Sequence, residues 1–370
     1  MCSRLKYRSG APDVSRIADT AEGSADVSLE RRIAIAVLFG VAAALVSYVG
    51  LASRGYLASD FEWPLRAARA LLAGQNPYQV IVGGGAYPFD TPFYYPLPAA
   101  LVALPLVGLN PYVAGALFFG ISSAAMAFGL SNGPVWRLLM FATPSFLVAA
   151  QVAQWSPLMV AAALVPALQG FAVCKPTIGF GAFLFRPTFR GILGGAALFL
   201  ISLAVLPVWP FWWLHVTLTS LVPHPAPLMV LPGFLLVLSI LAWRSREGRL
   251  LIAMSVLPQL LFWYDQMLLF LIPRTARQMA AFVGASWLGY GAWFLAVTYL
   301  HEWANMYGTV DLAAPFVIVT VYLPALDLVL IQYLEDRKIR KGQAVPDPTS
   351  TSRLSLPRRL VAIWRHSVDH

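Results

Sequence analysis

The stretch IAIAVLFGVAAALVSYVGLA, residues 33–52, decides the fold. It carries no charged side chain, and Arg31 and Arg32 stand directly before it. As an α-helix it is long enough to cross a hydrocarbon core of ~30 Å. A cleavable signal peptide has a shorter apolar core and ends in a small-residue cleavage site. Here Arg54 and Tyr56 follow, so the segment reads as a retained helix. The rest of the chain is similar: of 370 residues, 59% are hydrophobic and only 12% charged, with a mean hydropathy of +0.68. Soluble domains are nearer a quarter charged. About twelve apolar segments lie between residues 33 and 334. Several are too short to cross straight and are bounded by prolines such as Pro176, Pro187, Pro258 and Pro273. Broken helices at membrane depth need cover from protein or a water-filled cavity. The expectation is an all-α, polytopic transmembrane helix bundle of about 10–12 spans, some short or broken, around a polar cavity.

Charge orients the bundle. The net charge of +9 might suit nucleic acid in a soluble protein. Here much of the excess flanks apolar segments, at Arg31, Arg32, Arg244, Arg246, Arg249, Arg274, Arg277, Arg337, Lys338, Arg340 and Lys341. That is the positive-inside pattern, so no nucleic-acid partner is expected and both termini are placed in the cytoplasm. Residues 1–30 read as a disordered leader, 31–336 as the membrane domain and 337–370 as a basic tail. Its last part, 354–364, is either solvated or laid on an anionic membrane face. A retained first helix and short loops suit a bacterial inner membrane. Cys2 and Cys174 predict no disulfide, and the five histidines form no close metal-type pair, so neither metal nor cofactor is expected.

The outer side then receives the loop 53–95, which opens with SDFEWPLRAARALLAGQNPY (59–78). Pro64 fits a first helical position and Gly74 a stop, which predicts an interfacial helix over about 64–73. Leu65, Ala68, Leu71 and Leu72 would lie on one side, with Arg66 and Arg69 on another. Asp60 precedes this helix. It reads as a free carboxylate, or as an N-cap, or Ser59 and Glu62 form a capping box. Both capping readings start the helix early, where Pro64 fits less well. A glycine run at 83–85 beside YPFDTPFYYPLP (87–98) reads as a moving lid or as a spacer.

Polar residues also interrupt the apolar segments. Lys175, in CKPTIG, is a site candidate because a lysine at membrane depth is costly; otherwise it snorkels or marks a loop end. Gln154 interrupts AQWSP, and Asp265 with Gln266 interrupts FWYDQM. Further candidate substrate contacts in the outer loop are Glu62, Asn76, Tyr78, Tyr94 and Tyr95.

In this order, SDF, AGQNPY, YYPLPAALVALPL, AQWSPLMV, KPTIG and LPQLLFWYDQMLLFLIP resemble the GT-C superfamily of integral-membrane glycosyltransferases. The branch they are most similar to is glycosyltransferase family 87, of polyprenyl-phosphate-mannose-dependent mannosyltransferase type. The matching pieces span 59–273, most of the membrane region. The resemblance implies an outward cavity, a polyprenyl-phosphate sugar donor, a lipid or glycan acceptor and an inverting, metal-independent transfer. Asp60 takes the position of the family's catalytic aspartate, and Lys175 that of a lysine before proline. Lys175, Arg66 and Arg69 would then hold the donor phosphate. Where family members often carry a histidine, this chain has Asp265 and Gln266, and its stretch from Gln154 to Lys175 is shortened. Two other functions remain open: a lipid-linked-sugar flippase or transporter, and a non-catalytic scaffold of envelope assembly.

Overall fold

The computed structural model describes residues 27–82, 91–219, 224–304 and 306–340, and among them every regular element is helical. Most of the leader, Cys2, the glycine run at 83–85 and the tail segment 354–364 lie outside the described residues. In chain order the α-helices are α1 (Leu29–Arg54), α2 (Glu62–Leu72), a single turn at Pro77–Val80, α3 (Leu97–Ala103), α4 (Pro111–Leu130), α5 (Pro144–Gln151), α6 (Ser156–Leu164) and α7 (Pro176–Phe185). They continue with α8 (Phe189–Val205), α9 (Trp209–Leu218), α10 (Arg246–Val256), α11 (Ala276–Leu300), α12 (Met306–Val317) and α13 (Leu323–Arg340). A π-turn, Ile318–Tyr322, joins the last two.

Four segments are long and apolar enough to cross a membrane: α1, α4, α11 and the continuous stretch Gly308–Ile339. A fifth arises if α8 and α9, bent by 98°, count as one. Among the described residues the expected 10–12 spans are thus matched by four or five helices of full crossing length. Apolar composition reports burial in protein or lipid but not length. The apolar chain between the long helices goes into short helices and 3₁₀ stretches at Val135–Ala142, Pro166–Cys174, Gly233–Ala242 and Tyr264–Leu271. The prolines that bound these pieces often begin helices, where their missing N–H would be unpaired anyway. Asn110 and Thr143 accept from the backbone N–H groups of Tyr112 (3.0 Å) and Phe146 (3.1 Å), and Pro111 and Pro144 follow them.

Large apolar side chains on α1 face outward: Leu38, Leu45 and Val49 are each more than 60% exposed. In water such a face is an aggregation hazard, whereas in a bilayer it is the lipid contact. α1 docks antiparallel on α4 through small residues. A Cβ added to Gly40 would meet Ala124 Cβ at 2.7 Å, and one added to Gly120 would meet Ala44 Cβ at 2.7 Å. Gly40-x-x-x-Ala44 therefore faces Gly120-x-x-x-Ala124, a pairing that lets two membrane helices approach closely. Gly120→Leu is expected to cost about 1–3 kcal/mol by forcing them apart. An unchanged unfolding temperature in detergent would rule this contact out as a stabilising one.

The antiparallel pair separates two ends of the bundle. At one end the Arg32 guanidinium donates to Phe128 O (3.0 Å). Arg274 pairs there with Asp336 (3.1 Å) and Glu247 (3.6 Å), and Arg249 donates to Leu184 O (3.0 Å). At the other end Ala58 packs against Gly115, and the turn carrying Asp60 follows.

α2 begins at Glu62, two residues before the expected start, because the 3₁₀ turn Ser59–Phe61 runs straight into it. Pro64 is its third residue, still within the first turn, where a missing N–H costs no helical hydrogen bond. Leu65, Ala67 and Ala68 are fully buried against protein, whereas Leu72 is exposed.

Candidate functional site

Five chain segments, separated in sequence, meet at the end of the bundle that carries the Ser59–Phe61 turn. Asp60 is held by its backbone N–H, which donates to Val152 O (3.0 Å), and it caps neither the turn nor α2. Its Oδ2 accepts from Gln154 Nε2 and, at the long limit of 3.5 Å, from the Tyr95 hydroxyl. Gln154 Oε1 accepts from Trp155 N–H (2.8 Å) and from Lys175 Nζ (2.7 Å). With two donors aimed at it, that atom must be the amide oxygen, and the NH₂ group is left to face Asp60. Lys175 Nζ donates to Asp265 Oδ1 (2.7 Å) and stands 5.3 Å from the centre of the Tyr264 ring. The cluster is thus a chain of Tyr95, Asp60, Gln154, Lys175 and Asp265, with a neutral amide between the cation and the first carboxylate.

The backbone is strained at these positions. Among the described residues, Leu57, Ser59, Ala153, Trp263 and His301 are the non-glycine residues with positive φ. Ser59 (φ 46°) precedes Asp60, Ala153 (φ 47°) precedes Gln154, and Trp263 (φ 60°) lies two residues before Asp265. Each such residue costs about 1–3 kcal/mol and persists only where its surroundings hold it. Three independent segments are therefore bent to bring these side chains together.

Burial sets the electrostatics. Gln154, Tyr264 and Asp265 are buried, whereas Asp60, Tyr95 and Lys175 keep partial exposure. Loss of hydration pushes the Asp60 carboxyl up to about 6; the Lys175 charge lowers it, but by less. Burial also pushes the Tyr95 phenol well above its ordinary value, with the nearby Asp60 charge adding to the effect. Tyr95 is therefore a neutral donor. Asp60 is a carboxylate able to accept a proton near neutral pH, as a general base requires.

Of the residues singled out in the sequence, the structure brings together Asp60, Tyr95, Gln154, Lys175 and Asp265. Arg66 and Arg69 turn to Glu62 instead, at 2.9 and 4.0 Å, and Arg69 also donates to Val107 O (3.3 Å) and Leu109 O (3.4 Å). Glu62 is buried and accepts from Ala58 N–H (3.2 Å), so part of the arginines' charge is matched inside the fold. The Glu62 contact falls one residue short of the capping-box alternative. Asn76 caps the single turn by accepting from Tyr78 N–H (3.1 Å). Tyr78 donates to Tyr95 O (2.9 Å), and Tyr94 O accepts from Trp213 Nε1 (2.9 Å), so this pair of contacts anchors the segment that presents Tyr95. Gln266 points elsewhere, with Nε2 donating to Gln259 Oε1 (3.3 Å) and Leu260 O (3.3 Å).

Sequence reasoning missed Trp155 and Tyr264, aromatics in an aromatic-rich background whose sole mark is adjacency to Gln154 and Asp265. Among the described residues no three His, Cys, Asp or Glu side chains converge as a metal site would need, and Cys174 is buried with a free thiol. A cavity lined by Leu130, Arg137, Arg186 and Arg246 lies at the opposite, basic end.

Fold and site together define an all-helical protein with at least four helices fit to cross a membrane and a buried polar cluster at one end. Comparison with known proteins brings no match: no family model, curated protein or solved structure is similar to the chain.

Proposed function

We propose that the chain is a membrane glycosyltransferase. It moves a sugar, mannose or another hexose, from a polyprenyl-phosphate donor to a lipid or glycan acceptor at the bundle end opposite the basic clusters. By charge asymmetry that end faces outward from a bacterial inner membrane. The observation that carries the reading is the partly exposed Asp60 carboxylate joined through Gln154 to Lys175 and Asp265. The acceptor O–H gives its proton to Asp60, and its oxygen bonds to the anomeric carbon from the face opposite the phosphate. The bond from that carbon to the phosphate oxygen breaks, and polyprenyl phosphate leaves with the electron pair. The leaving group is already a good anion, so one carboxylate suffices; glycosidases need a second because their leaving group must be protonated. Lys175 has three N–H donors, and its two hydrogen bonds here leave one for a phosphate oxygen.

The decisive experiment supplies purified protein with polyprenyl-phosphate hexoses and an acceptor mixture and reads the new glycosidic product by mass spectrometry. Transfer is expected, with a rate that rises with pH as Asp60 ionises and levels off above about 6. A pH-independent rate between 5 and 8 would remove Asp60 as the base. A second reading has its own support: Lys175 is already paired with Asp265, as a gating residue of a lipid-linked-sugar transporter would be. Donor that crosses a vesicle membrane with no new glycosidic bond would favour that reading.

A further inference from the structure

The cavity at the basic end has a volume of about 80 Å³. Arg137, Arg186 and Arg246 line it together with Phe185, Phe270 and Leu271. It lies beside Gly129, at the far end of α4 from Gly115, the residue that packs on the Asp60 turn. At 1.5 Å per residue the two places are ~20 Å apart along the helix axis, so they are separate sites.

The Arg246 guanidinium stands 5.3 Å from the centre of the Phe185 ring, and that of Arg137 5.7 Å from Trp136. Glu247 is shared between Arg246 (3.0 Å) and Arg274 (3.6 Å), and Asp336 also pairs with Arg274 (3.1 Å). Among the described residues no carboxylate lies within ion-pairing distance of Arg186. Arg186 and Arg246 thus bring two guanidiniums to a lining that, among the described residues, holds no carboxylate. A guanidinium presents planar, paired donors that match phosphate oxygens. The cavity lies beside Gly129 and Leu130 at the end of α4, one of the four segments long and apolar enough to cross a membrane, and its aromatic and aliphatic residues suit the start of an acyl chain.

We propose that this cavity binds the phosphate of an anionic lipid from the adjoining leaflet, with Arg186 and Arg246 as its principal donors. The site is independent of the sugar-transfer reading and would stand if that reading failed. In the test, full-length protein is washed free of lipid and placed in bilayer discs of phosphatidylcholine with or without phosphatidylglycerol. Native mass spectrometry then counts the lipid retained. Preferential retention of phosphatidylglycerol is expected, reduced about tenfold or more in R186Q/R246Q. R190Q, an exposed arginine on the same end but outside the cavity lining, is expected to retain lipid normally. R186K/R246K should be intermediate, since lysine keeps the charge and loses the fork. If the double variant does not fold, R186Q alone serves, because that side chain is exposed. In a parallel arm, inorganic phosphate is titrated against thermal unfolding in detergent. Stabilisation of wild type but not of R186Q/R246Q, without lipid preference, would assign the same phosphate chemistry to a free anion. No lipid preference and no phosphate effect would overturn the proposal. So would equal losses in R190Q and in the cavity variants, which would mean diffuse surface charge.

Discussion

Asp60→Asn is expected to cut sugar transfer by about 10²–10⁴-fold and, at neutral pH, to make the folded protein more stable. The first figure is what a positioned general base contributes. The second follows from the upward pKa shift. A carboxyl whose pKa is about 6 in the fold and near 4 in the unfolded chain binds its proton more tightly when folded. The fold therefore opposes ionisation. Stability is greatest below the unfolded value, falls as pH rises from about 4 to about 6, and then stays level. Asparagine carries no charge to desolvate, and its side-chain oxygen can still accept from Gln154 Nε2. The gain should be roughly 1–3 kcal/mol at pH 7, allowing for the partial exposure of Asp60. Transfer rate and thermal unfolding across pH 4–8 test both parts. A variant that transfers sugar at near the wild-type rate would end the catalytic role. A variant no more stable than wild type would show that burial does not strain this carboxylate.

Lys175→Met is expected to be the most damaging of the single changes to the fold, at about 3–5 kcal/mol. It strands Asp265, whose side chain is only 4% exposed, as an uncompensated buried charge. The pair itself contributes little beyond this, because the desolvation of two ions offsets most of their attraction. Lys175→Met combined with Asp265→Leu should therefore recover most of the lost stability, while transfer remains lost with the cation. Chemical unfolding of the two variants in detergent separates the effects. A double variant as unstable as the single would mean that the ion pair is not the source of the cost.

Much of the cluster was legible in the sequence for one physical reason. In a chain this apolar, a charged or amide side chain that interrupts apolar sequence stands out, as Gln154, Lys175 and Asp265 do, and Asp60 is marked by its place just after the first membrane-length segment. Their meeting was not legible, since it depends on contacts between residues 94 and 90 positions apart. The strain at Ser59, Ala153 and Trp263 was also hidden, because these residue types do not advertise a positive φ as glycine does. Arg66 and Arg69 were noticed as cations, but the partner that takes them, Glu62, stands only four residues before Arg66. That i,i+4 spacing is readable in the sequence and favours a pair within the helix. The lengths of the spans were not legible, because the hydropathy of Pro166–Cys174 or Tyr264–Leu271 is the same in a 3₁₀ stretch as in a crossing helix.

The small-residue crossing of α1 on α4 bears on how the protein is made. Gly40, Ala44, Gly120 and Ala124 offer close van der Waals contact and no side-chain hydrogen bond or charge. α1 is apolar throughout its middle and mostly lipid-exposed, so it can enter the bilayer alone as it leaves the ribosome and find α4 afterwards by lateral diffusion. The Asp60 turn is tethered directly behind it. The same contact that seats α1 on α4 therefore also carries the Asp60 turn, six residues beyond the end of α1, towards Gln154.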